Sequence, residues 1–157
     1  MKYLLFLLPA LLPQENPFAD APDITGALAK SKAENRRVLI VWGANDSDES
    51  KQLLATLRKD AALKKKILYE YDVVPAAPGD LAKKYEADTS KLPALTILSA
   101  DGKTLANTAA PADPKELLAL LTKHQAEPLK AKDVYAVALK QAKESKKHVL
   151  LHFGAPW

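Results

Sequence analysis

Cysteine is absent from this 157-residue sequence, and that absence excludes several kinds of chemistry. Without a thiol these residues form no disulfide bond, build no thiolate zinc site and perform no thiol catalysis. The absence identifies no compartment, because a cysteine-free chain is stable in oxidising and reducing surroundings alike. Aromatic residues are also few, at 6%, whereas contents of 48% hydrophobic and 27% charged residues are typical of a globular protein. The length suffices for one full domain and a remainder.

Basic residues slightly outnumber acidic ones, which leaves a net charge of +4 and a pI near 9.1. The lysines fall mostly in helical patterns, such as those at residues 64–66 and 83–84. No aromatic residues interleave them, and no nucleic-acid-binding motif is present. The charge therefore predicts solvated helix surfaces and no nucleic-acid partner.

The first twelve residues, MKYLLFLLPALL, contain one lysine followed by an apolar run of about ten residues. Such a run has the length of the hydrophobic part of a secretory signal peptide and is too short to span a bilayer. Ala19-Asp20-Ala21 fits the small-x-small cleavage rule, although Pro22 directly after it is unfavourable. We therefore predict a signal peptide over residues 1–21 with its cleavage site open, and an exported protein, periplasmic or extracellular, that leaves the membrane after cleavage. The alternative is an uncleaved N-terminal anchor.

The central pattern of the chain is VLIVWGANDSDES, which begins with five consecutive apolar residues at 38–42. A run of this length and composition is typical of a buried central strand. A short Gly-Ala-Asn turn follows. Asp46 is then in position to cap a helix, and together with Glu49 it approximates a capping box. The sequence thus predicts a strand, a tight turn and a helix N-terminus in succession, where many α/β proteins place their chemistry.

This stretch resembles the active-site segment of thioredoxin-like proteins, in which a strand ends in an aromatic-Gly/Ala-x-x-Trp run and Cys-x-x-Cys opens the next helix. Ser47 and Ser50 stand at the two cysteine positions, and Asp46 stands at the tryptophan position. Val41 replaces a buried aspartate that the family often carries. The resemblance implies an α/β, thioredoxin-like fold with a mixed central sheet flanked by helices. It also implies that the thiol chemistry of the family is missing here, so no catalytic residue is assigned.

The remaining patterns complete such a domain over residues 22–124. Predicted helices span residues 23–35, 47–59, 61–66, 79–87 and 114–123, and predicted strands span residues 38–42, 67–74, 94–99 and 103–108. Residues 75–78 are predicted as a loop, and Asp101-Gly102 as a hairpin turn. The expected sheet has four or five strands, with helices on both faces and residues 38–42 in its interior. The expected core contains Val38, Ile40, Leu53, Leu57, Leu95, Ile97, Leu117 and Leu121.

Leu92 and Pro93 precede the third predicted strand, and the resemblance gives them a role. In thioredoxin-like proteins a cis-proline at this position faces the active-site helix, and the backbone beside it pairs with an extended peptide. We therefore expect a cis bond before Pro93 and a shallow groove between this bond and the turn after the first strand. The expected partners are peptides or proteins in extended conformation, because this mode of binding needs no thiol. The expected binding residues are Asp46, Ser47, Ser50, Leu92 and Pro93.

Two other chemistries at the same turn find little support in the sequence. A serine nucleophile needs an adjacent base, and the three histidines, at 124, 148 and 152, all lie in or beyond the last helix of the domain. A calcium loop starting at Asp46 would have Lys51 where such a loop needs glycine and Leu57 where it needs glutamate. Neither a metal ion nor a cofactor is therefore expected.

A second copy of the pattern follows a polar linker at residues 125–132. Residues 138–157 align without gaps with residues 27–46, which lie 111 positions earlier, and 7 of the 20 pairs are identical. A repeat of this period predicts that residues 133–157 are the truncated start of a second thioredoxin-like domain. His152 takes the position of Val41 in that copy. Because this start has no sheet of its own, we expect residues 125–157 to be weakly anchored.

The final residues, FGAPW, resemble the lead-in to the first catalytic cysteine of the family. Two functions therefore stay open: a binding module without redox activity, or a fragment of a thiol-disulfide or selenol oxidoreductase whose cysteine or selenocysteine would follow Trp157. A selenocysteine codon read as a stop, a cysteine codon changed or misread as a stop, and a chosen end point are the explanations for that ending. A purely structural spacer domain is a third hypothesis for the function.

Overall fold

Four strands and six helices make up the computed structural model, which describes residues 16–151. The helices are α1 (Ile24–Glu34), α2 (Asp48–Lys59), α3 (Ala61–Glu70), α4 (Asp80–Lys84), α5 (Pro114–Lys123) and α6 (Ala131–Ser145). The strands are β1 (Arg37–Trp42), β2 (Tyr71–Ala76), β3 (Ala94–Leu98) and β4 (Thr104–Ala109). Among the described residues, no helix combines the length and apolarity that a membrane crossing requires.

The four strands form one mixed sheet in the order β2-β1-β3-β4. β1 pairs in parallel with β2 and antiparallel with β3, and β3 pairs antiparallel with β4. Both the interior position of β1 and the mixed sheet are as predicted. The continuous apolar run of β1 follows from this position, because residues buried on both faces of a sheet need no polar alternation.

Helices cover both faces of the sheet, as expected for this fold. Leu39 and Val41 of β1 pack on one face against α2, α3 and α5. Val38, Ile40 and Trp42 pack on the other face, which α1 and α4 cover. The prediction of the core is confirmed, since all eight expected residues are buried: Val38, Ile40, Leu53, Leu57, Leu95, Ile97, Leu117 and Leu121.

The predicted boundary between α3 and β2 is wrong by several residues. Residues 67–70 were expected in a strand because of their β-prone composition, but they continue α3 to Glu70. The Asp60 carboxylate starts this helix by accepting from the Ala62 and Leu63 N–H groups, and Ile67 then packs on the core one turn after buried Leu63. The strand also extends through Pro75 to Ala76, which were predicted as loop. An edge strand accepts a proline because its outer side needs no N–H donor.

The segment before α1 is part of the folded domain. Phe18 is only 2% exposed and belongs to the core, on the same side of the sheet as α2. Ala19 forms a parallel bridge with Ala76, and its carbonyl accepts from the Ala77 N–H at 2.9 Å. The domain therefore includes Phe18 and Ala19, which were predicted as part of the signal peptide. The apolar run at residues 1–12 lies outside the described residues.

The C-terminal segment consists of α6 followed by an extended piece of chain. No residue of α6 is buried, and Leu150 is 92% exposed. The predicted second-copy strand is not formed over residues 149–151, because that stretch has no neighbouring strand to pair with. His152 and Trp157 lie outside the described residues.

Candidate functional site

The turn after β1 is shaped by close packing around Gly43. This residue is buried, and a Cβ atom built on it would lie 2.3 Å from Cε1 of Phe18. Only glycine therefore fits beneath the aromatic ring. The Gly43 N–H donates to the Ala76 carbonyl at 3.0 Å, which continues the pairing of β1 with β2 into the turn.

Ser47, and not Asp46, is the N-cap of α2. Its backbone is extended, and its Oγ accepts from the Ser50 N–H at 3.1 Å. This is the preferred N-cap geometry, in which a side-chain oxygen satisfies one of the unpaired N–H groups of the first turn. Asp46 is exposed and lies one residue before the cap. The predicted capping box with Glu49 is therefore wrong, because a residue before the cap does not reach these N–H groups.

The Ser47 hydroxyl also donates a hydrogen bond to Glu49 Oε2 at 3.0 Å. The pKa of the Glu49 carboxyl is lowered, first by its own backbone N–H and then by this hydroxyl. A carboxylate held in its charged form is a weak proton acceptor. Ser47 therefore has a partner that stabilises the helix start rather than a base that would make its oxygen nucleophilic.

Ser50 is completely buried, and its Oγ accepts from the Ala44 N–H at 3.2 Å. The two serines thus hold the turn from both sides, Ser47 at the helix start and Ser50 at the backbone that precedes it. Their hydroxyls occupy the family's cysteine positions with structural hydrogen bonds. Within residues 16–151, no group of three His, Asp or Glu side chains is arranged to hold a metal ion.

The Leu92–Pro93 peptide bond is cis, as the resemblance led us to expect. The Pro93 carbonyl accepts from the Ala110 N–H at 3.0 Å, which extends the β3–β4 ladder by one step. The Leu92 N–H and carbonyl, by contrast, have no hydrogen-bond partner among the described residues. Leu92 is partly exposed, so these two groups are open to solvent or to another chain.

A cavity of about 240 Å³ lies beside Pro93, between α2 and the chain that joins β4 to α5. Its α2 wall follows the spacing i, i+3, i+4, i+7, which places all four residues on one helix face. Among the five predicted binding residues, Pro93 lines this cavity, whereas Asp46, Ser47, Ser50 and Leu92 do not. The residues that line it are Glu49, Gln52, Leu53, Thr56, Pro93, Ala110, Pro111, Ala112, Pro114 and Leu117.

A series of side-chain hydrogen bonds supports the sheet on the face opposite this cavity, the face that α1 and α4 cover. Trp42 Nε1 donates to Thr96 Oγ1 at 2.7 Å, and Thr96 Oγ1 donates to Asn107 Oδ1 at 2.6 Å. Asn107 Nδ2 donates to the Tyr85 carbonyl at 2.9 Å, so the series of hydrogen bonds continues to the end of α4. Because Trp42 pairs with Ala94, these hydrogen bonds fix the end of β1 beside the residue that follows Pro93.

Comparison with solved structures finds the same fold in proteins of low sequence identity. A disulphide isomerase from Xylella fastidiosa Temecula1 superposes with a TM-score of 0.60 at 21% identity, over 70% of this chain and 97% of that one. A thioredoxin from Thermus thermophilus superposes with a TM-score of 0.53 at 16% identity, over 68% of this chain and 86% of that one. No curated protein sequence is significantly similar to this chain.

The sequence itself also matches a family model. That model describes a thioredoxin-like domain, and it matches residues 24–125, which run from the start of α1 to just past α5 and make up more than half of the chain. The mixed sheet covered by helices on both faces agrees with this match. The chain therefore belongs to the thioredoxin-like domain family.

Proposed function

We propose that this chain is an exported thioredoxin-like protein without redox activity that binds peptides or unfolded protein segments in extended conformation. The bound segment runs alongside Leu92 and places one apolar side chain in the cavity beside Pro93. The observation that carries this proposal is the pair of unpartnered backbone groups on Leu92, next to a cavity of about 240 Å³.

The Leu92 N–H and carbonyl offer one donor and one acceptor to a segment that binds as an added β-strand does. Each hydrogen bond of this kind contributes roughly 0.5–1.5 kcal/mol. The apolar wall formed by Leu53, Pro93 and Leu117 supplies burial for a side chain of the bound segment. Two backbone bonds and one buried side chain favour weak, sequence-tolerant binding.

The loss of both cysteines is compatible with binding, because the turn keeps its shape without them. Ser50 satisfies the Ala44 N–H and Ser47 satisfies the Ser50 N–H, so the hydroxyls hold the turn between β1 and α2. These 157 residues contain no thiol for disulfide exchange. We therefore expect no reduction of insulin disulfides by this chain above the rate in buffer.

Export is supported by the N-terminal pattern, a lysine followed by an apolar run of signal-peptide length. An unfolded chain in an extracytoplasmic compartment is a suitable binding partner for such a domain.

Binding is tested with reduced, carboxymethylated α-lactalbumin, a permanently unfolded protein whose thiols are blocked. We expect chemical-shift changes in the NMR spectrum of this protein at Leu92, Ala110 and Glu49. Pro93→Ala removes part of the cavity wall and should weaken binding about tenfold, which corresponds to about 1.4 kcal/mol. The matched control is Pro78→Ala, in an exposed loop. Equal binding by both variants would exclude this site, and no binding by the unsubstituted protein would favour a structural spacer.

A further inference from the structure

Helix α6 ends in the same way as α1, at corresponding positions of the internal repeat. Asn35 after α1 has φ 54° and ψ 48°, and Lys146 after α6, 111 residues later, has φ 54° and ψ 40°. The Arg36 N–H donates to the Ser31 carbonyl at 2.8 Å, and the equivalent bond joins Lys147 to Ala142, also at 2.8 Å. The two helices therefore end in the same left-handed cap at equivalent positions of the sequence repeat.

The two helices differ in what covers the equivalent face. In α1 this face consists of Ile24, Ala27, Leu28 and Ser31; Ile24 and Ser31 are buried, and the other two pack on the sheet beside them. The equivalent residues of α6 are Tyr135, Ala138, Leu139 and Ala142. Tyr135 is 43% exposed and Leu139 is 45% exposed. The face of α6 that would contact a sheet is therefore uncovered.

The residues after α6 show the same contrast. Leu39 and Ile40 of β1 are completely buried, whereas the equivalent Leu150 and Leu151 are exposed. Tyr135, Leu139 and Ala142 line one open cavity together with Val149 and Leu151, so helix and following segment form one apolar surface. Contiguous apolar surfaces of this kind normally mark a contact with another folded element.

We propose that this surface, formed by Tyr135, Leu139, Ala142 and residues 149–151, is the sheet-contacting face of a second thioredoxin-like unit. Its occupant is a β-sheet that the C-terminal repeat forms together with polypeptide following Trp157 in the full-length gene product. The inference is independent of peptide binding at Pro93.

A second copy of this chain is not a suitable occupant. The sheet of the first domain is already covered by α2, α3 and α5 on one face and by α1 and α4 on the other. A partner copy would therefore offer α6 no open sheet. The repeat instead specifies the missing element: α1 contacts β1, the strand that directly follows it, and β2 beside it. By the same arrangement, α6 needs the strand that follows it and a neighbour for that strand.

The first test is the mass of the protein isolated from its natural host. The 157 residues amount to 17.1 kDa. We expect a larger protein, with proteolytic fragments that contain residues 131–151 and continue past Trp157 into further strands. A natural protein that ends at Trp157 would overturn the proposal.

The second test measures whether α6 is covered in that longer protein. Amide exchange of Tyr135, Leu139 and Ala142 should be at least about a hundredfold slower there than in the 157-residue chain, because helix packing on a sheet protects its amides. Equal exchange in both proteins would overturn the proposal. Protection that appears only when a separate protein is added would overturn it too, since the occupant would then lie outside this polypeptide.

A matched pair of variants of the longer protein locates the contact. Leu139→Asp places a charge on the face equivalent to the sheet-contacting face of α1, and Lys140→Asp places the same charge on the neighbouring exposed position. We expect Leu139→Asp to lower the midpoint of a second unfolding transition, while the transition of the first domain is unchanged. If both variants unfold alike, α6 does not contact a sheet through this face.

Discussion

The Asn45 carboxamide forms two hydrogen bonds with the backbone of Phe18, 27 residues earlier in the chain. The Phe18 N–H donates to Asn45 Oδ1 at 3.1 Å, and Asn45 Nδ2 donates to the Phe18 carbonyl at 3.0 Å. The Phe18 ring lies against Gly43 in the same turn. The segment before α1 therefore holds the turn at which thioredoxin-like proteins carry their first cysteine.

Removal of this segment should destabilise the domain. A chain that begins at Pro22 lacks the Phe18 ring and its two bonds to Asn45, whereas a chain that begins at Asn16 keeps them. Loss of a buried phenylalanine costs about 3–5 kcal/mol. We expect the free energy of unfolding in urea to fall by about that amount in the shorter chain and to stay unchanged in the longer one.

The same contact bears on signal-peptide cleavage. Cleavage after Ala21, at the small-x-small motif, would remove Phe18 from the core. N-terminal sequencing of the exported protein should therefore find Phe18 retained. A mature N-terminus at Pro22, together with equal stability of the two truncated chains, would contradict this prediction.

The cap of α2 is tested by two neighbouring substitutions. Ser47→Ala removes the oxygen that accepts from the Ser50 N–H and should lower the free energy of unfolding by about 1 kcal/mol. Asp46→Ala removes an exposed side chain before the cap and should change it by less than about 0.5 kcal/mol. Urea denaturation measures both values. If Asp46→Ala lowered the free energy of unfolding more than Ser47→Ala, Asp46 would be the capping residue.

Much of this fold could be predicted from the sequence because the signals were local and strong. The apolar run of β1 specified an interior strand, and the spacing of Leu117 and Leu121 specified α5 with its observed bounds. The ambiguous positions were those at which two local signals competed. Residues 67–70 are β-prone but also continue the apolar spacing of α3, and the packing of Ile67 beside Leu63 decides for helix.

The candidate site was predicted only in part, because its walls come from distant parts of the chain. The resemblance identified Leu92 and Pro93, and the helical spacing of Glu49, Gln52 and Leu53 was visible in the sequence. Nothing local indicated that the chain after β4 would lie opposite that helix face. The contact of Phe18 with Gly43 and Asn45 was equally invisible, since no pattern links a segment before the first helix to a turn after the first strand.

Glu49 should titrate below its usual range, and Ser47 should be part of the reason. The pKa of the Glu49 carboxyl is lowered chiefly by the backbone N–H of Glu49 and secondly by the Ser47 hydroxyl. A carboxyl with a depressed pKa in the folded state stabilises the fold above its unfolded-state pKa, and this contribution is lost as the pH falls through the folded-state value. NMR titration should show that Ser47→Ala raises the Glu49 pKa towards, but not fully to, its usual value. An unchanged pKa would mean that this hydroxyl does not stabilise the carboxylate.

The two serine positions should differ in reactivity when each is changed singly to cysteine. The chain has no other cysteine, so each variant contains one thiol. Ser47→Cys places it at a partly exposed helix N-terminus, where the pKa of a thiol is lowered, and Ser50→Cys places it in a buried position. At neutral pH we expect iodoacetamide to alkylate the first at least about tenfold faster, because the thiolate fraction and the access are both larger. Equal alkylation rates of the two variants in about 8 M urea would show that the difference comes from the fold.

Filling the cavity beside Pro93 should block binding without disturbing the fold. Gln52 and Lys51 are neighbouring exposed residues of α2, and Gln52 lines the cavity whereas Lys51 does not. Gln52→Trp places an indole in the space proposed for a side chain of the bound segment, and Lys51→Trp places the same indole in solvent. We expect the affinity for carboxymethylated α-lactalbumin to fall at least about tenfold in the first variant, since about 1.4 kcal/mol of apolar contact is lost, and to change little in the second. Urea denaturation confirms that both variants remain folded. If Gln52→Trp binds as tightly as Lys51→Trp, the bound segment does not enter this cavity, and the unpartnered backbone of Leu92 would be the sole remaining contact.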